Sequence, residues 1–256
     1  MDIRPVNSHI RRWNVAEGLP FGEETVDACY ASHVVEHLTQ DQARTLLLES
    51  RRILRRGGVI RLAVPDLEGI AREYLRVLAE VQTGDVAAAK QHEWITLEML
   101  DQLVRTEPGG EMGRYLLHRA RQNADYVWSR IGSEAAPYLG RNTTPIVSSE
   151  SEQGSRWKRS VTGLKERLVT ALCSVLLGHR GRVAIQEGLF RISGECHRWM
   201  YDQFSLRQLL ERTGFSDIRR CMATESRIEK FDKYDLDVVN GEVRKPDSLF
   251  MEALRS

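Results

Sequence analysis

The histidines and glutamate at positions 33, 36 and 37 form the spacing H-x-x-E-H within the stretch "ACYASHVVEHLTQ". On one face of a helix this spacing is the zinc signature of a class of metallopeptidases, with the glutamate as general base. Here the string directly follows a predicted strand, and a capping-box pattern at Thr39 and Gln42 begins a helix only after it. The helix that a zinc site needs is not predicted at His33, Glu36 and His37. A zinc peptidase therefore stays an alternative, and we predict no metal ligand.

Two predicted strands with a helix between them form the first unit of the chain. Residues 26–32, "VDACYAS", tend toward apolar and β-prone side chains, and residues 59–66, "VIRLAVPD", are mostly apolar. The helix that begins at Thr39 is predicted to continue to about Leu54. The "RRGG" sequence at 55–58 then ends it, because glycine readily takes the left-handed conformation that follows a helix. This order predicts two parallel strands and the fold class α/β.

Polar side chains cluster where these two strands end. In open parallel sheets, ligands bind outside the carboxyl ends of the strands. Ser32 ends the first strand and His33 follows it, and Asp66 ends the second strand, so we predict a small-molecule crevice at this edge. For Glu36 and His37, capping of the local turn is the alternative interpretation.

The rest of the chain has mainly helical patterns before its last strand candidates. Residues 68–122 have helical periodicity, which is interrupted at "EPGGE", residues 107–111. Residues 205–215, "SLRQLLERTGF", predict an amphipathic helix with Gly214 as its stop. The remaining strand candidates are residues 9–15, 216–223 and 247–254.

These patterns predict a core with one large insertion. The core consists of residues 1–67 and 190–256, and residues 68–189 form a helical insertion or lid. The polar, Ser/Thr-rich residues near 141–155 predict a flexible surface loop within the insertion.

Composition limits the kinds of binding partner and the cellular compartment to be expected for the protein. Thirty-seven basic residues against 36 acidic ones give a net charge of +1, so no global field indicates nucleic acid. Four scattered cysteines without a C-x-x-C pair suit a reducing compartment. The first residues contain no apolar signal segment, and the longest apolar run is too short to span a bilayer. We expect a cytoplasmic protein. The sequence gives no indication of its oligomeric state.

Residues 156–182 form a basic segment with leucines every four residues. The leucines are Leu164, Leu168, Leu172 and Leu176. A basic amphipathic helix of this kind can make peripheral contact with an anionic membrane. The alternative is a lid that packs on its own domain.

The order of several motifs resembles one known family. "NVAEGLPFGEETVDACYASHVVEHL", then "LLLESRRILRRGGVIRLAVPDLE", and later "HRWMYDQFSLRQLLERTGF" and "KPDSLFMEAL", are similar to the class I S-adenosylmethionine-dependent methyltransferases of the type-11-like group. The resemblance implies a Rossmann-like methyltransferase sheet and S-adenosyl-L-methionine as cofactor. It also implies an N-terminally truncated core, because the family's first strand and Gly-rich cofactor loop have no counterpart in the sequence.

The resemblance assigns cofactor contacts to five residues. Asp2 matches the acidic residue that holds the ribose hydroxyls, and Asn14 matches the position that accepts from the adenine amino group. Leu19 would supply apolar packing near the base, with closure of the core as its alternative role. Ser32 and His33 complete this set at the end of the strand.

Methyl transfer from a sulfonium requires alignment of the nucleophile with the methyl group, and a sugar hydroxyl also needs a base. His33 is the first candidate because the pKa of an imidazole lies near working pH, and His197 is the second. Arg198, Trp199 and Tyr201 follow His197 and suit stacking on and hydrogen bonding to a sugar. An aromatic plug that anchors the insertion is the alternative role for Trp199.

These residues predict a methyltransferase that acts on a small polar acceptor, a saccharide or glycan intermediate, with Asp66 also in the acceptor site. The alternative from another class is a degenerate, non-catalytic binding module with a methyltransferase-like fold.

Overall fold

The computed structural model describes residues 13–141 and 164–256. Asp2, most of the strand candidate at 9–15, nearly all of the loop near 141–155 and the start of the basic segment lie outside these residues. The first elements are β1 (Val26–Ser32), α1 (Gln40–Ile53), β2 (Leu54–Pro65) and α2 (Leu67–Gln82). The others are α3 (Val86–Val104), α4 (Gly110–His118), α5 (Ala124–Ile131), α6 (Ala136–Leu139), α7 (Leu164–Arg191), α8 (Gln203–Arg212), β3 (Phe215–Cys221), β4 (Val238–Val239), β5 (Glu242–Val243) and β6 (Ser248–Arg255).

Four strands form one mixed sheet in the order β1-β2-β6-β3. The β1 and β2 strands are parallel, whereas β6 is antiparallel to both β2 and β3. The predicted parallel pairing and the α/β class are therefore confirmed. Strands β4 and β5 form a separate two-stranded ribbon.

The chain forms two compact units. The first comprises the described parts of Met1–Arg76, together with Trp128–Ser133 and Arg198–Ser256, and contains the sheet, α1 and α8. The second comprises Val77–Val127 and the described parts of Glu134–His197. The sequence-based division, with an insertion at residues 68–189, stays a prediction.

The second unit is helical in its described part. The predicted interruption at "EPGGE" is confirmed, because α3 ends at Val104 and α4 begins at Gly110. Gly110 has a φ of +54°, and a Cβ there would lie 2.5 Å from Oδ1 of Asp101. That same oxygen accepts the backbone N–H of Glu111 at 2.7 Å, so glycine lets the Asp101 carboxylate cap the new helix. No helix in the described ranges is long and apolar enough to cross a membrane.

Helix α1 begins and ends close to its predicted bounds, but the glycines after it do not act as its stop. The capping box is formed by Thr39 and Gln42, whose side chains each accept the other residue's backbone N–H. The chain then passes directly from Ile53 into β2, so the prediction that "RRGG" ends the helix is wrong. Residues 55–58 instead lie opposite Asp27 as a bulge in β2.

Glycine is required in this bulge for a steric reason. A Cβ on Gly58 would lie 2.8 Å from the carbonyl oxygen of Arg55 and 3.0 Å from that of Asp27. Gly57 adopts a φ of +75°, a conformation that favours glycine. The pairing of β2 with β1, rather than a helix end, therefore explains both glycines.

The described residues 13–15 of the strand candidate at 9–15 are not part of a strand. Within its described part, Val15 begins a 3-10 turn, Val15–Glu17, in which the Glu17 N–H donates to the Asn14 carbonyl at 3.1 Å. The polar, glycine-bearing sequence that follows favours a turn over a strand.

Alternate side chains of β2 face opposite sides of the sheet. Ile60, Leu62 and Val64 join the main apolar core, together with residues of β6 and of the two helices on that side. The other core members on this face are Leu46, Leu47, Leu206, Leu210, Leu249, Met251 and Ala253. Helices α1 and α8 therefore pack on one face of the sheet. The predicted stop of α8 at Gly214 is confirmed, with a φ of +83°.

The opposite face is organised around the fully buried Arg61 of β2. Its guanidinium lies 2.7 Å from Oδ2 of Asp237 and 3.0 Å from Oε1 of Glu252. It also lies 4.7 Å from the ring centroid of Phe231 and 5.3 Å from that of Phe250. Its remaining donors bind the backbone carbonyls of Met222, Ala223 and Glu225. Arg61 thus attaches the segment between β3 and β6 to the back of the sheet.

We expect Arg61→Met to lower the free energy of unfolding by about 3–5 kcal/mol, because it leaves the buried carboxylates of Asp237 and Glu252 without their shared cation. Urea unfolding followed by circular dichroism measures the loss. The matched control is Arg55→Met, whose ion pair with Asp27 is exposed and whose effect should stay below about 1 kcal/mol. Equal losses in the two variants would contradict the role of Arg61.

The turn that contains Leu19 is bound to α1 through Glu49 and Arg52. Glu49 accepts the Leu19 N–H at 3.0 Å and an Arg52 N–H at 2.7 Å. Arg52 also donates to the carbonyls of Leu19 and Phe21. The hydrogen bond from Arg52, followed by that from Leu19, lowers the pKa of Glu49 to about 2. These contacts keep the side chain of Leu19 in the apolar core.

The lowered pKa of Glu49 predicts a pH-dependent contribution to stability. Because the folded pKa is about 2 and the ordinary value is 4.5, the ionised carboxylate stabilises the fold above pH 4.5, and this stabilisation is lost as pH falls towards 2. We expect Glu49→Gln to lower the thermal midpoint at neutral pH, with the difference shrinking over that interval. Glu229→Gln, which changes an exposed pair with Lys230, is the control. A difference that persists at the acid end would refute the assignment.

Candidate functional site

The chain turns sharply at His33, directly after β1. His33 has a φ of +52°, a left-handed conformation that is uncommon outside glycine and costs on the order of 1–3 kcal/mol. Its backbone N–H donates to the carbonyl of Ala63 in β2 at 2.8 Å, which extends the parallel pairing one residue beyond Ser32. Pairing with β2 therefore holds this strained turn in place.

The imidazole of His33 lies between a carboxylate and a hydroxyl. Its Nδ1 is 3.1 Å from Oε1 of Glu36, and its Nε2 is 3.0 Å from Oγ of Ser248. Glu36 lies in the 3-10 turn Val35–His37, and Ser248 is the first residue of β6, paired with Pro65. An imidazole with these two neighbours can take up a proton while the carboxylate stabilises the resulting positive charge.

Glu36 is completely buried, and its turn is bound to the segment that precedes α8. The Glu36 carbonyl accepts the backbone N–H groups of Arg198 and Trp199, at 2.6 and 3.2 Å. Burial raises the pKa of Tyr201 to about 12, and the negative charge of Glu36 adds to this rise. The Tyr201 hydroxyl therefore keeps its proton at neutral pH. Among the described residues this buried hydroxyl has no hydrogen-bond partner.

Asp66 lies at the same edge of the sheet, directly after β2. Its Oδ1 accepts the Gly69 N–H at 3.1 Å, and its Oδ2 accepts from Arg220 at 2.9 Å. Asp66 also forms a β-bridge with Tyr201, whose carbonyl accepts the Leu67 N–H at 3.0 Å. The parallel pairing thus brings the ends of both strands and Tyr201 to one edge, as the strand order predicts.

Residues 33–37 do not form the helix that a zinc peptidase needs. The backbone of His33 has a left-handed conformation, Val35–His37 is a single 3-10 turn, and α1 begins only at Gln40. The two imidazoles are therefore not placed one turn apart on the face of a helix. The spacing H-x-x-E-H has a different basis here, namely the contact between Glu36 and His33.

The residues predicted to bind the cofactor do not share one environment. The amide of Asn14 donates to Glu17 at 2.6 Å, on the surface, and Leu19 belongs to the apolar core. The Ser32 hydroxyl forms a hydrogen bond with Tyr30, and Asp2 lies outside the described residues. His33 lies at the end of β1, and the Tyr201 hydroxyl in the same unit has no hydrogen-bond partner among the described residues; ligands of parallel sheets bind at this edge.

The predicted acceptor residues divide between the two units. Arg198, Trp199 and Tyr201 belong to the unit that contains His33, whereas His197 belongs to the other. The indole of Trp199 is 45% exposed and is available for stacking. His197 is buried, and its backbone N–H donates to the Gln102 carbonyl at 2.9 Å. The assignment of these residues to the site stays a prediction.

Two residues of this edge are missed by sequence reasoning. Ser248 is separated from His33 by 215 positions, and only the antiparallel pairing of β6 with β2 brings it to the imidazole. Arg220 reaches Asp66 through the neighbouring strand β3. The sequence does contain an indication for Glu36, because its position three residues after His33 suits a contact between the two side chains across a tight turn.

Comparison with known proteins agrees with this architecture. The family model described as "Methyltransferase domain", of the type-11 group, matches residues 6–62, which include β1, α1 and most of β2. Among curated proteins no match to the chain was found. The matched segment is similar to the class I S-adenosylmethionine-dependent methyltransferases of the type-11 group, and the mixed α/β sheet is consistent with a Rossmann-like fold.

Proposed function

We propose that the chain transfers a methyl group from S-adenosylmethionine to a hydroxyl of a small polar acceptor, a saccharide or glycan intermediate. The observation that carries this proposal is the imidazole of His33 at the end of β1, in contact with a buried carboxylate. When bound, the cofactor supplies an electrophilic methyl group. A hydroxyl acceptor then needs a nearby base, and His33 is the group suited to that role.

Three residues support a cofactor at this edge of the sheet. The chain turns at His33, directly after β1, and Ser32 lies directly before it. The buried Tyr201 hydroxyl is protonated at neutral pH and can donate to an oxygen of a ligand. Because ligands of parallel sheets bind at this edge, these groups suit the polar parts of a nucleoside.

The binding site for the methyl acceptor is proposed from the chemistry of the side chains assigned to it. Asp66 and Arg220 form an ion pair in which the arginine is nearly half exposed, so Arg220 offers hydrogen bonds to hydroxyl groups, and the buried Asp66 orients it. Trp199 presents an exposed aromatic surface, and Arg198 adds a cationic donor. Aromatic rings combined with charged hydrogen-bonding groups are suited to the apolar faces and hydroxyls of a sugar.

The first experiment is titration calorimetry of the full chain with S-adenosylmethionine and with S-adenosylhomocysteine, followed by transfer of a radiolabelled methyl group to a panel of saccharides. We expect binding of both cofactor forms and label in at least one saccharide. Label in amine acceptors alone would refute the hydroxyl chemistry, and absence of binding would refute the methyltransferase proposal.

We expect His33→Asn to reduce kcat about 10²–10⁴-fold, which is the usual contribution of general base catalysis. Asparagine tolerates the positive φ at this position but cannot take up the proton. The affinity for S-adenosylmethionine, measured by calorimetry, should stay within the same order of magnitude. The control is His118→Gln, an exposed histidine of the second unit, which should keep wild-type kcat. Equal rates for His33→Asn and wild type would exclude His33 as the base.

A non-catalytic binding module is the second candidate function. It is favoured by the surroundings of two predicted cofactor contacts, because Leu19 lies in the core and the Asn14 amide binds Glu17. Under this alternative the full chain binds saccharides in calorimetry but neither binds S-adenosylmethionine nor transfers its methyl group.

A further inference from the structure

We propose that Glu36 is a positioning residue that holds His33 in its Nδ1–H form, and that the Ser248 hydroxyl passes the acceptor's proton to Nε2. This inference rests on the proposed function for its catalytic part. Its structural part, namely which ring nitrogen of His33 carries the proton, is independent of any activity.

The two ring nitrogens of His33 face chemically different neighbours. An ionised carboxylate can only accept a hydrogen bond, whereas a hydroxyl can both donate and accept. With Glu36 3.1 Å from Nδ1, the proton of a neutral imidazole is favoured at Nδ1. The lone pair on Nε2 then faces Ser248, 3.0 Å away, and accepts the proton of its hydroxyl.

Each of the three groups is held by backbone pairing. His33 donates its N–H to Ala63, and the Glu36 carbonyl accepts from two backbone N–H groups. Ser248 is paired with Pro65, and its N–H donates to the Lys245 carbonyl at 3.2 Å. The backbones of the three residues are therefore held relative to one another, which favours the order carboxylate, imidazole, hydroxyl.

This order supports a balanced transfer of one proton. S-adenosylmethionine, when bound, would supply the methyl group to the acceptor oxygen and would keep the electron pair of the carbon–sulfur bond on its sulfur. The acceptor's proton goes to Oγ of Ser248, which gives its own proton to Nε2 of His33. The imidazolium that results lies next to the Glu36 carboxylate, whose negative charge stabilises it.

The form of the imidazole is tested by ¹⁵N NMR of the full chain labelled in histidine, with the His33 signals assigned by their loss in His33→Asn. We expect Nδ1 protonated and Nε2 unprotonated in the wild type at a pH where the ring is neutral. In Glu36→Met, which has no acceptor, the proton should move to Nε2, where Ser248 can accept it. A protonated Nε2 in the wild type would overturn the inference without recourse to any variant.

The proton transfer is tested by kinetics. We expect Ser248→Ala to lower kcat about 10- to 100-fold with KM for the acceptor unchanged, and Ser248→Thr, which keeps a hydroxyl, to recover most of the rate. The control is Ser216→Ala, an exposed serine of β3. Wild-type kcat in Ser248→Ala would overturn the role of Ser248.

The two proposals fail in distinguishable ways. An Nδ1–H imidazole that depends on Glu36, in a chain without methyl transfer, supports the positioning role and refutes the proposed function. Methyl transfer by a chain whose His33 carries its proton on Nε2 supports the proposed function and refutes the positioning role.

Discussion

The hydrogen-bond register of β2 is the constraint on which both the fold and the site depend. On one side β2 pairs in parallel with β1, which places Ser32 beside Ala63. On the other side it pairs with β6, which places Ser248 beside Pro65. A slip of one residue in either pairing would turn alternate side chains to the wrong face. The distance between His33 and Ser248 is therefore a consequence of register on both sides of a single strand.

The two faces of β2 oppose such a slip in different ways. On one face Ile60, Leu62 and Val64 pack into an apolar core, where a shifted register would expose apolar surface to water. On the other face Arg61 meets Asp237 and Glu252, all three almost fully buried. A displaced Arg61 would break two ion pairs inside the protein, which is more costly than the loss of an apolar contact. The ion pairs thus contribute to a unique register more than to net stability.

Local features of this fold are predictable from the sequence, and long-range ones are not. The bounds of β1 and the capping box at Thr39 depend on neighbouring residues, and both agree with the structure. The "RRGG" sequence was misassigned because a glycine that ends a helix and one in a bulge have the same local conformation. The carbonyl of Asp27 on another strand decides between them.

The same distinction applies to the site. The strand order alone predicts that the groups after β1 and β2 share one edge. It does not identify Ser248, which is 215 positions from His33, nor the pairing of Arg61 with Asp237 over 176 positions. Both contacts require the order of strands beyond the first parallel pair. An antiparallel β6 between β2 and β3 does not follow from any periodicity in the chain.

Glu36 is a completely buried carboxylate in contact with the strained residue His33. Burial of a carboxylate costs several kcal/mol unless a cation or several donors compensate, and an apolar side chain of similar size would avoid that cost. The neighbouring Val35 is completely buried without such a cost. His33 adds a second unfavourable contribution to the free energy of folding, because its left-handed backbone is strained. Two unfavourable features in contact, at the end of a strand in a sheet that otherwise follows the packing rules, are typical of a functional site. A carboxylate that orients an imidazole accounts for both features together, because the strained turn is what brings the ring of His33 to Glu36.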